Sequence, residues 1–278
     1  MENNTIVKNA VEFVLFNYFG LSHEDGHNAK TILDKAIELA YVDATNQGAF
    51  NTLFTNAKFP DREIVDKFKM CVKGSMSKLI KERIELYFFN DKDEFDKWHT
   101  NLCEELVKKY GEICEKHEIQ TFSDPSGFFS YGNAQKWVNM TIKNLYVISG
   151  AYLAMGGFEN EALFNAIVAR SDKYHIPLDN LILGAICEKE LIKDKDYFVK
   201  KYGKKDPSYK IAKKDDKGKV ESFPWSDIKN ICIYTEFRNA LNEAIGEPPI
   251  EWECNNWIER KKQINILKGD LTTIDDQE

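Results

Sequence analysis

The stretch YGNAQKWVNMTIKNL, residues 131–145, decides the architecture read from this chain. At 100° per residue, Val138, Ile142, Leu145, Ile148 and Tyr152 fall on one face of a helix, with Trp137 and Thr141 at its margin. Lys136, Asn139 and Lys143 fall on the opposite face. Two lysines seven residues apart therefore rise from one side of a helix anchored by a strong apolar stripe, roughly 10 Å apart at 1.5 Å per residue. The plain reading of that side is a solvated polar stripe; the other is a lysine-bearing site.

Working outward, helical periodicity continues almost everywhere. Apolar residues recur at Val11, Val14, Leu15 and Tyr18; at Ile32, Ala36, Leu39 and Val42; and at Phe68, Cys71, Met76, Leu79, Ile84 and Tyr87. Asp93 is placed to cap a helix carrying Phe95, Trp98, Leu102, Leu106, Tyr110 and Ile113. Helices are expected near 131–155, 159–172, 178–191, 225–245 and 250–265. No alternating strand pattern and no internal repeat is visible, so the expected fold is all-α. The breaker run Asp124-Pro-Ser-Gly127 sets the expected domain boundary, giving a helical part over 1–120, a second over 121–269, and an acidic tail over 270–278 that frays.

Composition bounds the function. Hydrophobic residues at 43% supply enough apolar mass to offset chain ordering, which excludes wholesale disorder. A net charge of −7 means that binding to nucleic acid must come from a local basic patch. Such a patch exists: residues 189–219 hold twelve lysines against six acids, and Lys201, Lys204, Lys205, Lys210, Lys213 and Lys214 are the candidates for phosphate contact, set against a plain solvated loop. The start lacks the basic region of a signal peptide, and the longest nearly apolar stretch, Leu145 to Phe158, is shorter than the roughly 20 residues of a membrane span. A cytoplasmic protein with no membrane partner is expected, and its six scattered cysteines read as reduced thiols.

Two motifs suggest metal chemistry and are discounted. His23-Glu-Asp-Gly-His27 satisfies HExxH, which binds zinc when helical, but Gly20, Ser22, Asp25 and Gly26 favour a turn that caps a helix starting near Ala29. Cys114 and His117 form a CxxH pair with no obvious partner pair. No metal and no cofactor is expected.

Downstream of the lysine helix come Ile176-Pro-Leu-Asp179, then Phe223-Pro-Trp225-Ser-Asp-Ile228, then Pro248-Pro-Ile-Glu-Trp-Glu253-Cys-Asn-Asn-Trp257. In order and residue type this resembles the helix–hairpin–helix DNA glycosylases, most of all the archaeal 8-oxoguanine DNA glycosylases. Those proteins carry two lysines seven apart on one helix, a proline-led aspartate at a helix start, and a proline-rich segment with an acid and a tryptophan. The resemblance covers about the last 145 residues and leaves 1–120 unexplained. The wording of residues 132–143 also looks like that of bacterial and phage proteins of unassigned activity. Two departures stand out: Gly132 alone precedes the lysine helix where many such glycosylases have a GxG hairpin, and Asp179 lies 43 residues beyond Lys136.

What the resemblance implies is base excision from damaged DNA. Lys136 would be the amine nucleophile on C1′, with Lys143 in reserve, since a desolvated lysine loses part of its preference for the charged form. Asp179 would stabilise positive charge developing on the sugar. Trp137, Met140, Glu253 and Trp257 would hold the extruded base, with aromatic planes stacking on it and the carboxylate accepting a ring N–H. Trp98 and Trp252 are read as packing residues. The alternative is a non-enzymatic interaction protein, encoded by a phage or mobile element, that binds nucleic acid or blocks a host nuclease or defence complex. Residues 1–120, the missing hairpin and the acidic charge favour it.

Overall fold

The computed structural model describes residues 2–45, 62–89, 94–117, 129–178, 182, 213–214, 220–221, 228 and 231–267. Among them are eight α-helices: α1 (Glu2–Phe19), α2 (Ala29–Thr45), α3 (Arg62–Phe89), α4 (Phe95–Lys116), α5 (Tyr131–Met155), α6 (Glu161–Val168), α7 (Ile231–Ala244) and α8 (Pro249–Leu267). Short 3-10 turns cover Glu24–His27 and Ser171–Lys173. The fold is all-α apart from one minimal ladder, β1 (Lys213–Lys214) antiparallel to β2 (Val220–Glu221), within a stretch where the sequence shows no strand signal.

Helix α5 is the axis of the molecule. It begins at a capping box in which the Ser130 hydroxyl accepts from the Asn133 amide while the Ser130 amide donates to Asn133 Oδ1, two orphan N–H groups satisfied reciprocally. It ends at Gly156, whose positive φ of 70° and whose N–H, donating to the Tyr152 carbonyl, close the last turn. The expected apolar face is buried, from Val138 through Tyr152.

The opposite face departs from the plain reading. Lys136 and Asn139 are buried as well, because α7, α8 and the segment at 174–178 cover the side expected to face solvent. Every position from Tyr131 to Asn139 is buried, although Val147 and Ala154 further along α5 are exposed, and a stretch enclosed in this way keeps polar groups only where most of them find partners. Toward α2, its most extensive neighbour, Asn133, Trp137 and Asn144 donate to the carbonyls of Ala44, Ile37 and Ala36 at 3.4, 3.2 and 3.2 Å.

The core is one continuous cluster with residues on both sides of the Asp124–Gly127 boundary. In α3 and α4 the expected stripes hold, with Phe68, Met76, Ile84, Leu102, Leu106 and Tyr110 buried. Trp98 packs beside Tyr87 with its N–H on the Arg83 carbonyl, and Trp252 is buried, both as packing residues. The expectation fails at Val14, Tyr18 and Val42, which are exposed. Leu15 is the buried anchor of α1, and α2 turns Leu33, Ile37 and Ala40 inward instead, since a helix lying in the angle between two neighbours buries a wider, rotated stripe. Asp93 lies outside the described residues, and Glu94, at the N-cap of α4, makes no side-chain capping bond.

The HExxH stretch is a 3-10 turn. The Asp25 carboxylate accepts from both the amide and the hydroxyl of Ser22, and Asn28 Oδ1 accepts from the Thr31 amide to cap α2 at Ala29. Both imidazoles pack against Phe158, 4.8 and 5.3 Å between centroids. Gly26 permits this closeness, because a Cβ there would stand 2.4 Å from the Phe158 ring. Cys71, Cys103, Cys114, Cys232 and Cys254 are free thiols, and Cys187 lies outside the described residues.

Candidate functional site

The covered side of α5 carries two adjoining polar groups. In the first, Lys143 Nζ donates to Glu253 Oε1 at 2.5 Å and stands 5.9 Å from the centroid of the Trp257 ring. The acid comes from α8, 110 residues away in sequence, and its side chain is fully buried, whereas that of Lys143 retains 19% exposure. Pro249 starts α8 with a fixed φ, so Glu253 and Trp257, four apart, lie on the same face one turn from each other. Lys136 is buried two turns before Lys143 on the same helix, and Met140, between them, is half-buried. Of the residues expected to form a site, Lys143, Glu253 and Trp257 are thus brought together.

Trp137 is not among them. It is fully buried, donates its indole N–H to Ile37 and packs its ring 5.0 Å from Tyr41. Its place at the margin of the apolar face turns it toward α2, which removes it from the base-binding group. Asp179 and the lysines at 201, 204, 205 and 210 lie outside the described residues. Lys213 and Lys214 form β1.

The second group has no counterpart in the sequence expectations. His175, buried, sets Nε2 2.7 Å from Asp96 Oδ1 on α4 and 2.9 Å from Arg238 Nη1 on α7. Its Nδ1 lies 3.1 Å from the Tyr234 hydroxyl. Asn139 Nδ2 donates to that hydroxyl at 2.9 Å and also approaches the Gln135 Oε1 and Ile176 carbonyl oxygens at 3.0 and 3.2 Å. Gln135 in turn binds both the amide and the carbonyl of Leu178, each at 3.4 Å.

The donors fit one proton arrangement: Asn139 donates to Tyr234, Tyr234 donates to Nδ1 of a neutral His175, the Nε2–H donates to Asp96 Oδ1, and Arg238 Nη1, beside Nε2, donates to Asp96 Oδ2 at 3.0 Å. Burial holds the His175 imidazole below its ordinary value against the opposing bond from Asp96, with the Arg238 charge acting in the same direction as burial. His99, stacked on Tyr234 and 4.4 Å from the His175 ring, is held well below the ordinary value by burial and then by His175. The His175 bond holds the Asp96 carboxyl below its usual range. Both ring nitrogens of His175 are engaged and Tyr234 is enclosed, so this group acts as a clamp. It fixes the backbone of 175–178, which leads into Asp179, against the turn of α5 that carries Lys136.

The signal for this clamp was present in the sequence: Gln135 and Asn139 stand one turn apart in a strongly apolar helix, and His175 immediately precedes the Ile-Pro-Leu-Asp run. Its partners on α4 and α7 are separated from it by long intervals that no local pattern spans.

Chemically, the first group offers an ammonium donor and an indole plane side by side, with the buried Glu253 carboxylate holding the ammonium in place. That set matches the needs of a flat heterocycle with a carbonyl edge. The fold and site together define an all-α protein built around a buried polar helix, and no helix among the described residues is long and apolar enough to cross a membrane. No protein-family model matches the chain, no curated protein matches its sequence and no solved structure matches its fold.

Proposed function

We propose that this protein is a DNA base-excision glycosylase/lyase, with Lys136 as the nucleophile and Lys143, Glu253 and Trp257 as the group that holds the extruded base. The observation that supports the reading is the convergence of Lys143, Glu253 and Trp257 on the same side of α5 as the buried Lys136. Lys136 is taken as the nucleophile by its match to the first of the two lysines in the glycosylases the chain resembles, and Lys143, engaged by a buried carboxylate, is suited to binding. Attack requires the unprotonated amine of Lys136: it adds to C1′ as the N-glycosidic electron pair leaves with the base, one amine proton passes to that base, and cleavage of the C1′–O4′ bond with transfer of the second to O4′ gives the Schiff base. DNA would be contacted through the lysines of 189–219, since the whole molecule is acidic.

Borohydride added to the protein with oligonucleotides carrying 8-oxoguanine, uracil or an abasic site is expected to trap a covalent adduct that Lys136→Ala abolishes. No adduct from the folded wild type across that panel overturns the reading. The rival, a non-enzymatic interaction protein, is favoured by α1, where Ile6, Val7, Phe13, Phe16 and Tyr18 are each more than half exposed.

A further inference from the structure

Leu145 lies 200° around α5 from Lys143, and on that far side α2, α3, α5 and α6 enclose a cavity of about 240 Å³. Its walls are Ile32 and Leu33 of α2, Ile84 and Phe88 of α3, Leu145 of α5 and Phe164 of α6, all of them buried. The two charged residues at the cavity, Lys30, which is exposed, and Glu85, which is half-buried, mark the side that meets solvent. A water held in the interior would need two to four polar partners, and the lining is predominantly apolar, with its charged side chains confined to the side that meets solvent. Left empty, an apolar void is penalised in proportion to its volume. Ala29 stands in the lining, where a larger side chain would reduce that volume.

We propose that this cavity is a binding site for one neutral, largely apolar small molecule of about ten non-hydrogen atoms. The size follows from comparison: an apolar cavity of roughly 150 Å³ holds benzene and stays dry, so one of this volume holds a bicyclic ring system. Neutrality follows from the opposite charges of Lys30 and Glu85 at the opening, which cancel for a ligand between them. The walls come from packed helices, so the site is formed before the ligand arrives. It is independent of the base-excision reading, because its lining shares no residue with the lysine group.

The test is titration of the full chain with 2-naphthol, followed by calorimetry and by the melting temperature. Saturable binding of one equivalent with a raised melting temperature is expected, with magnetisation transfer from the ligand to the methyls of Leu33 and Leu145, which line the cavity. Ala29→Leu and Leu33→Phe, each checked for cooperative melting, are expected to weaken binding at least tenfold. The anion 2-naphthoate is expected to bind at least tenfold more weakly than the alcohol. The proposal is overturned by absence of saturable binding, by transfer to other methyls only, by a folded filled variant that binds as tightly as wild type, or by equal binding of the anion.

Discussion

Replacing Lys143 by Met should destabilise the protein far more than replacing a surface lysine, and the structure sets the size of the effect. The Glu253 side chain has no solvent exposure, so its carboxylate loses its countercharge in a place water does not reach. Breaking a buried pair in this way costs about 3–5 kcal/mol. Lys143 keeps 19% exposure, which places the expected value near the lower end, about 3 kcal/mol. The contact with Trp257, at 5.9 Å, sits at the outer limit of a cation–π interaction and adds less than about 1 kcal/mol. Glu253→Leu should cost less, about 1–2 kcal/mol, because the lysine can carry its head toward water along its flexible stem. The double variant Lys143→Met/Glu253→Leu leaves no unpaired charge and should lie within about 1 kcal/mol of wild type. Urea denaturation of the four proteins then gives a coupling of at least about 2 kcal/mol, and 0.5 M salt should change it little because the pair is shielded from screening. Single costs below about 0.5 kcal/mol that simply add in the double would refute the argument, since that is how an exposed pair behaves.

Acidification should weaken the fold through His99 and His175. Both are held below the ordinary histidine value in the folded chain, so between about pH 6.5 and their lower folded values the unfolded chain binds protons that the native one refuses. Stability is therefore unaffected by these groups above pH 7 and falls as pH drops through that window, by at most about 1.4 kcal/mol per pH unit for each histidine. Urea midpoints at pH 7.5 and 5.0 measure the slope, His175→Gln should reduce it, and a flat profile contradicts the clamp as described. Trp137→Ala should cost about 3–5 kcal/mol as a core truncation, and Trp137→Phe about 1–2 kcal/mol with loss of the bond to Ile37. Adduct yield per folded molecule should be unchanged in Trp137→Phe; a selective loss of adduct would return Trp137 to the base-binding group.

The described helices were legible because each needs only local information, while the helix expected near 178–191 lies almost wholly outside the described residues. Periodicity places Tyr131–Met155 where the structure has it, and the Asx-rich turn before Ala29 reads correctly from its capping residues. The polar side of α5 was not legible in the same way. Whether Lys136, Asn139 and Lys143 meet water depends on what α7 and α8 cover, and that depends on segments roughly a hundred residues downstream. A single apolar stripe is what a surface helix shows, and the local sign that the other side is covered as well is confined to Gln135 and Asn139, one turn apart among apolar residues.

What the enclosed side does show is a division of labour among polar residues that look alike on a helical wheel. Asn133 and Asn144 spend their amides on α2 carbonyls and build the core. Gln135 and Asn139 spend theirs on the backbone at 176–178 and on Tyr234, and so hold the run that precedes Asp179. Lys143 is committed to Glu253. A polar network of this density is costly unless every member is satisfied, and core packing alone would be served as well by apolar residues. Its concentration beside Lys136, on the most buried of the described helices, is the physical reason to test that amine for chemistry.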